Sequence, residues 1–346
     1  MKRENYIQFS LTDKQGRNLI SIGLLLLLTN LVSAKVITDM TGRRVNVPDR
    51  IKKILPYDSK ISILLFPVAS DLMVAKALLP GSIQYKFIDA KYNTMPQVDP
   101  DNLEEVLVYA PEVIVAGVYS SNLNYQNFEK FQRRTGIPVI LVNLSINKLD
   151  KTYLFLGKLL GKEQVCNERA LFLKTVYSQS QNLIKQDTKH GKRIYYCLGN
   201  TGLLTDPAGS KHTEVLDYLK LDNVAKIPVP NGGHAKVNME QVLTWNPEYV
   251  LAAGFKGNKN AFTVITSGGQ WATVKAVQNN HVFKVPAQPF GWLDHPPSVN
   301  RIPGIIWLSE IFYDLPKEKA TEQIKTFYSL FYGYKLSDAE FKTLFK

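Results

Sequence analysis

The sequence predicts an α/β chain of two similar lobes, with mostly parallel sheets and one long helix joining the lobes. Three observations predict it. A 15-residue stretch occurs twice, as NLEEVLVYAPEVIVA at 102–116 and NMEQVLTWNPEYVLA at 238–252. Short apolar runs alternate with helical patterns along most of the chain, which is the signature of parallel sheets. Between the two halves, Gln164 to about Gln186 holds few helix breakers.

The doubled stretch matches at 7 of 15 positions at a constant offset of 136 residues. Asn102 and Asn238 suit helix N-caps, and Glu104 and Glu240 fall in the first turn, where the helix dipole favours a negative charge. Leu103/Val106/Leu107 and Met239/Val242/Leu243 repeat at helical spacing. Pro111 and Pro247 stop each helix. The runs from Glu112 and Glu248 read as buried parallel strands, closed by Gly117 and Gly254.

Residues 1–34 read as a signal peptide. Lys2, Arg3, Lys14 and Arg17 precede an apolar core from Leu19 to Val32, and Val32-Ser33-Ala34 fits a cleavage site. The apolar run is short and interrupted for a membrane span. With no cysteine near Ala34 to carry a lipid, a free periplasmic protein beginning near Lys35 is expected. The formal charge of +12 falls to +10 when four bases and two acids leave with the leader. Such a basic surface is ordinary, or it attracts an anionic ligand. An exported chain without a nucleic-acid motif is not expected to bind nucleic acid.

From Val36 to Pro48, two β-rich runs flank Gly42 as a hairpin. Ile51 to Leu55 is a strand, Tyr57 to Lys60 a loop and cap, and Ile61 begins an apolar helix. Gly81 to Asp101 is long, polar and aromatic, with Tyr85, Phe87 and Tyr92, and is expected to border a site. Val118 to Asn122 is a loop beyond a strand. Phe128–Thr135 is a helix and Pro138–Val142 a strand. The expected divisions are an N-terminal lobe at 35–145, connecting helices at 146–189 and a C-terminal lobe at 190–346.

In the C-terminal half, Lys192–Leu198 is a strand and Gly199–Ser210 a glycine-rich loop. Thr213–Leu219 is a helix, followed by the Asn231-Gly-Gly-His234 loop and the second repeat. Trp271–Val277 and His281–Val285 read as helix and strand. Pro289 to Pro297 is a rigid aromatic loop, Ser298 opens a helix to Phe312, and the tail from Pro316 is helical. Cys166 and Cys197 could bond in an exported protein. The intervening helix would hold them roughly 30 Å apart, so two free thiols are expected.

In open α/β sheets, ligands sit beyond the carboxyl ends of strands. That rule gathers Tyr119, Phe255 and the Phe290–Trp292 loop into one cleft. Enzyme chemistry finds no support: the chain has no GxSxG, P-loop or CxxC, and Gly199–Gly202 lacks a full dinucleotide fingerprint.

The order of these parts resembles the substrate-binding proteins of ABC importers for iron–siderophore complexes, haem and vitamin B12. The resemblance runs through VITDMTGRRVNVP, the doubled NLEEVL…PEVIVAG and NMEQVL…PEYVLAAG, the helical strut, and PPSVNRIPGIIWLSEIFY. It implies two Rossmann-like lobes on a helical backbone and a ligand cleft between them, with only small closure on binding. It implies a monomer without intrinsic cofactor or catalysis, delivering a metal chelate to an inner-membrane permease. Iron–siderophore is the first expectation, then haem, a nickel chelate or cobalamin. A zinc or manganese ion-binding protein on a related architecture is the alternative. Glu104 and Glu240 would dock on basic residues of the permease. Where the family carries a Thr/Ser-Glu pair after the first strand, this chain has Lys60-Ile-Ser-Ile.

For a chelate rich in oxygen atoms, Arg301, Lys256, Lys236 and Lys211 could give charge-assisted hydrogen bonds. Tyr119, Phe255, Phe290 and Trp292 could stack on the ligand, or pack in the core. His234, on its Gly-Gly approach, is the candidate metal contact; a solvent-facing imidazole is the competing reading. The five histidines form no HxH, HxxxH or HExxH spacing, so any cluster would require distant residues to converge. His295 reads as a cleft residue or loop brace. His190, His212 and His281 read as surface or strand-edge residues, and Asp206 and Glu214 as ordinary loop and helix acids.

Overall fold

The computed structural model describes residues 34–77, 85–120, 125–188, 191–230, 234–253 and 260–345. The chain opens with the antiparallel hairpin β1 (Ala34–Thr38) and β2 (Arg44–Pro48). In its turn, Asp39 accepts hydrogen bonds from Thr41 and pairs with Arg43 at 2.8 Å. The first parallel sheet consists of β3 (Ile54–Pro56), β6 (Val113–Val118) and β7 (Val139–Asn143), in the order β3-β6-β7. Between β3 and β6, the short strands β4 (Lys76–Ala77) and β5 (Gln97–Val98) pair with each other.

The second sheet holds β8 (Arg193–Leu198), β9 (Leu204–Thr205), β10 (Asp222–Asn223), β11 (Ala235–Lys236), β12 (Tyr249–Ala253) and β13 (Val282–Val285). Strands β10, β8, β12 and β13 run parallel, while β9 and β11 add antiparallel pairs at one edge. The mixed α/β architecture with mostly parallel sheets is the one the sequence predicts.

Both sheets are buried on two faces, which is why their strands read as continuous apolar runs. The two-residue period assigns each side chain to a face. Ile54, Val113, Val115, Ile140 and Val142 face one core, and Leu55, Ile114, Ala116, Val139 and Leu141 face another. In the second sheet, Ile194, Tyr196, Leu198 and Leu251 join that same first core, while Tyr195, Cys197, Val250 and Ala252 face a third. One apolar cluster therefore extends from the first sheet to the second and takes in the C-terminal helices.

The doubled unit folds twice in the same way. Helices Leu103–Tyr109 and Met239–Trp245 are capped by Asn102 and Asn238, whose side chains accept from Glu105 N at 3.3 Å and Gln241 N at 2.8 Å. Each helix ends in a left-handed residue, Ala110 or Asn246, directly before its proline. Glu112 N then donates to Lys53 O, and Glu248 N to Arg193 O, docking each following strand on its neighbour. Glu104 and Glu240 are exposed on the first turns, one beside each sheet.

Helix Glu163–Gln186 has 24 residues and is about 36 Å long. Cys166, Ala170, Leu173, Val176, Ser180 and Ile184 form its buried stripe, at three- and four-residue spacing. It packs against helices Leu149–Leu160 and Ile302–Phe312. Arg169 Nη2 donates to Leu330 O at 2.8 Å, and Gln323 Nε2 to Gln179 Oε1 at 2.6 Å. These contacts tie it down along its length. Cys166 and Cys197 are buried and unbonded to each other.

Two local expectations are corrected. The segment after residue 84 is not an open site-bordering loop: it folds as helix Ala90–Thr94 and β5, and Tyr92 is fully buried against Phe66 and Phe290. The expected helix at Trp271–Val277 divides into a 3-10 turn at Gly269–Trp271 and a short helix at Lys275–Gln278. The proposed leader lies outside the described residues. Among the described residues, no helix is long and apolar enough to cross a membrane.

Candidate functional site

Local pairing builds the site. Thr205 in β9 pairs antiparallel with Ala235 in β11. The next residues along that register are Asp206 and His234, and His234 Nδ1 lies 2.6 Å from Asp206 Oδ1. His212 sits in a turn held by Thr213 N donating to Ser210 O and by Thr213 Oγ1 donating to Pro207 O. Its Nδ1 lies 2.6 Å from Asp294 Oδ2. Asp294 and His295 belong to the loop after β13. That loop is held from inside by Asn300, whose Nδ2 donates to Gly291 O and Asp294 O. At Gly304, a Cβ would lie 2.2 Å from Trp292 O, so only glycine lets the helix start approach the loop this closely.

Three imidazoles thus converge. Ring centroids lie 5.2 Å apart for His212–His234, 5.5 Å for His234–His295 and 6.1 Å for His212–His295. Behind them, Asp206 is fully buried and Asp294 nearly so. Each carboxylate accepts from a histidine on one oxygen, and each keeps a second oxygen, Asp206 Oδ2 and Asp294 Oδ1, buried without a hydrogen-bond partner among the described residues. Asp206, Asp294 and His295 each offer a donor atom within 4.8 Å of the others.

Burial pushes the Asp206 carboxyl up to about 6, against the pull of His234. Burial acts the same way on Asp294, but the His212 hydrogen bond and the charges of His295 and His212 outweigh it and hold that carboxyl below its usual range. Burial, reinforced by His234 and His212, keeps His295 below the ordinary imidazole value despite Asp294. A depressed imidazole stays neutral near pH 7 and keeps a nitrogen lone pair for a metal.

A cavity of about 210 Å³ lies next to this cluster in the chain. Tyr119, Ser120, Ser145 and Asn147 line it from beyond the carboxyl ends of β6 and β7, and Gly209, Ser210, Lys211, Glu214 and Asp217 line it from the other half. Ser210 and Lys211 lead directly into His212. Tyr119 Oη donates to Pro297 O at 2.7 Å, two residues beyond His295. The lining therefore comes from both halves, as the carboxyl-end rule predicts.

The other expected ligand contacts separate into groups. Phe290 and Trp292 take the packing alternative. Phe290 lies among Tyr85, Tyr92 and Tyr332, and Trp292 is fully buried, with Nε1 donating to Tyr328 Oη. Neither ring offers a face to a solute. Arg301 is fully buried and bound to protein acceptors: Nη1 to Glu214 Oε2 at 2.6 Å, Nη2 to Leu144 O at 2.7 Å and Nε to Ser298 O at 3.0 Å. It braces the end of β7 to the second half rather than gripping a ligand. Phe255 and Lys256 lie outside the described residues, as does His190. Lys236 is exposed on β11.

Sequence reasoning missed four residues. His212 is not on the surface, and Asp206 is not an ordinary loop acid. Glu214 joins Arg301 to Ile146 N, which donates to its Oε1 at 3.1 Å. Asp294 is the nearly buried centre of the cluster. The available signal was the polarity of residues flanking predicted strand ends. It does not say which of them meet.

Known proteins share this architecture. The molybdate-binding protein MolA of Haemophilus influenzae is 21% identical, with 88% of this chain and 93% of that protein covered. An ABC transporter solute binding protein from Sulfurospirillum deleyianum superposes with a TM-score of 0.79 at 26% identity, covering 90% of this chain and 98% of the other. Helicobacter pylori CeuE in a Ni-His complex superposes with a TM-score of 0.61 at 14% identity, covering 91% and 100%. The family model described as periplasmic binding protein matches residues 80–289, well over half of the chain. Fold and family thus agree with an assignment to solute carriage rather than catalysis, and the chain belongs to the periplasmic binding proteins that serve ABC transporters.

Proposed function

We propose that this chain leaves the cytoplasm through a signal peptide cleaved near Ala34 and works as a periplasmic monomer. It delivers a metal, carried as a small complex, to the permease of an ABC importer. The lobes are 35–145 and 190–346, with the connecting helices at 146–189. The observation that carries the cargo assignment is the meeting of His212, His234 and His295 over Asp206 and Asp294.

The chemistry favours a cation over an oxyanion. Molybdate, bound by the Haemophilus relative, would sit beside two buried carboxylates, and like charges in a low-dielectric setting repel strongly. The same geometry favours a small complex over a large aromatic chelate. Phe290 and Trp292 are core side chains and Arg301 is already paired, so the stacking and clamping expected for a siderophore lose those three contributors. A nickel chelate or a bare ion therefore ranks above iron–siderophore, haem and cobalamin.

Native mass spectrometry of protein purified from its own host under metal limitation tests the cargo. A co-purified first-row metal with a small organic ligand supports the reading, and a co-purified oxyanion refutes it. Docking is tested separately with Glu104→Ala/Glu240→Ala. Unchanged solute affinity with lost uptake is expected, and unchanged uptake removes the docking role.

A further inference from the structure

We propose that the protein itself ligates the cargo metal, through Asp206 Oδ2, Asp294 Oδ1 and a ring nitrogen of His295, so that the cargo is a first-row divalent cation with open coordination positions. This rests on the metal-delivery reading and narrows its substrate class.

The argument begins with two oxygens. Asp206 Oδ2 and Asp294 Oδ1 are buried and accept no hydrogen bond from the described residues. An unsatisfied buried polar group costs about 1–3 kcal/mol, and more when charged. A structure that supplies a histidine to one oxygen of each carboxylate leaves the other bare in both. A cation satisfies both at once. One donor atom from each of Asp206, Asp294 and His295 already lies within 4.8 Å of the others. An ion with bonds of about 2.1 Å holds its donors about 3–4.2 Å apart, so capture requires side-chain shifts of under about 1 Å.

The surroundings have the form of a metal site's supporting shell. His212 Nδ1 and His234 Nδ1 each lie 2.6 Å from one oxygen of a carboxylate, Asp294 Oδ2 and Asp206 Oδ1, which fixes the direction of the other oxygen. Two carboxylates balance a divalent charge. An oxygen–oxygen–nitrogen set suits zinc, nickel, cobalt or manganese, and three protein donors leave positions for water or a small chelator. A ferric ion saturated by a hexadentate chelator has no position for these donors.

The test uses full-length mature protein stripped with EDTA, with Co²⁺ alone as probe. Wild type should bind one Co²⁺ and develop visible d–d bands. Asp206→Asn, Asp294→Asn and His295→Ala should each weaken binding at least tenfold. His281→Ala, stacked on Tyr249 away from the cluster, should not. Circular dichroism confirms that each variant is folded; asparagine keeps the shape of the carboxylate it replaces. Folded wild type that takes up no Co²⁺, or variants that bind it as wild type does, overturns the proposal. A preformed Ni²⁺–histidine complex separates this from the broader reading. If wild type and all three variants bind that complex equally while bare Co²⁺ does not bind, direct ligation is wrong and metal-complex delivery survives. If neither probe binds, both fall.

Discussion

Replacing Arg301 with methionine separates a brace from a ligand contact. The guanidinium is fully buried and serves Glu214, Leu144 O and Ser298 O. Breaking a buried ion pair from one side costs about 3–5 kcal/mol, because the partner's charge is left without compensation. Glu214 keeps 24% of its side-chain surface exposed, so its orphaned carboxylate is partly hydrated. The low end, about 3 kcal/mol, therefore applies. For a chain of this length, each kcal/mol moves Tm by about 2 °C, so the expected fall is about 6 °C. The double variant Arg301→Met/Glu214→Leu leaves no unpaired charge. It should lose only about 2 kcal/mol, from the orphaned Ile146 N–H and Leu144 carbonyl. Calorimetric or circular-dichroism melting of the three proteins measures this. Two results would refute the reasoning: an Arg301→Met variant melting within 1 °C of wild type, or a double variant less stable than the single.

Three further expectations follow from the packing of the protein. Trp292→Ala should cost about 3–5 kcal/mol in urea unfolding, because a fully buried indole leaves a large cavity; a loss under 1 kcal/mol would return the ring to the surface. Asn102→Ala and Asn238→Ala should each cost about 1 kcal/mol, and their effects should add, since the two caps serve different sheets. Burial pushes the Cys166 thiol up to about 12 and Cys197 higher still, so iodoacetamide at pH 8 should alkylate neither until urea unfolds the chain. Rapid native alkylation would show that the buried placement of these thiols is wrong.

Local patterns were read well because their causes are local. Asn102 and Asn238 cap helices whether or not the rest of the chain is known, since the side chain reaches a backbone N–H only three residues ahead. Pro111 and Pro247 stop those helices by the same short-range sterics. Runs such as Val139–Asn143 announced buried strands because both faces of each sheet are covered. The likeness between the two repeat units carried over unchanged into two capped helices and two docked strands.

Side-chain direction was the part sequence could not supply. The aromatic loop around Phe290 and Trp292 sat where a cleft was expected, yet its rings turn inward to Tyr92 and Tyr328. Arg301 had the charge to hold a ligand, but a carboxylate 87 residues away and the carbonyl of Leu144 were the nearer partners.

By itself, then, the sequence determined the alternation of strands and helices, the duplicated unit and the long strut, because each depends on neighbours within a few residues. Only the tertiary structure decided that Asp206, His212, His234, Asp294 and His295 meet. Their meeting depends on the register of β9 against β11 and on a loop folded around Asn300. Those constraints act across the 89 positions that separate Asp206 from His295, and a histidine spacing read along the sequence carries no record of them.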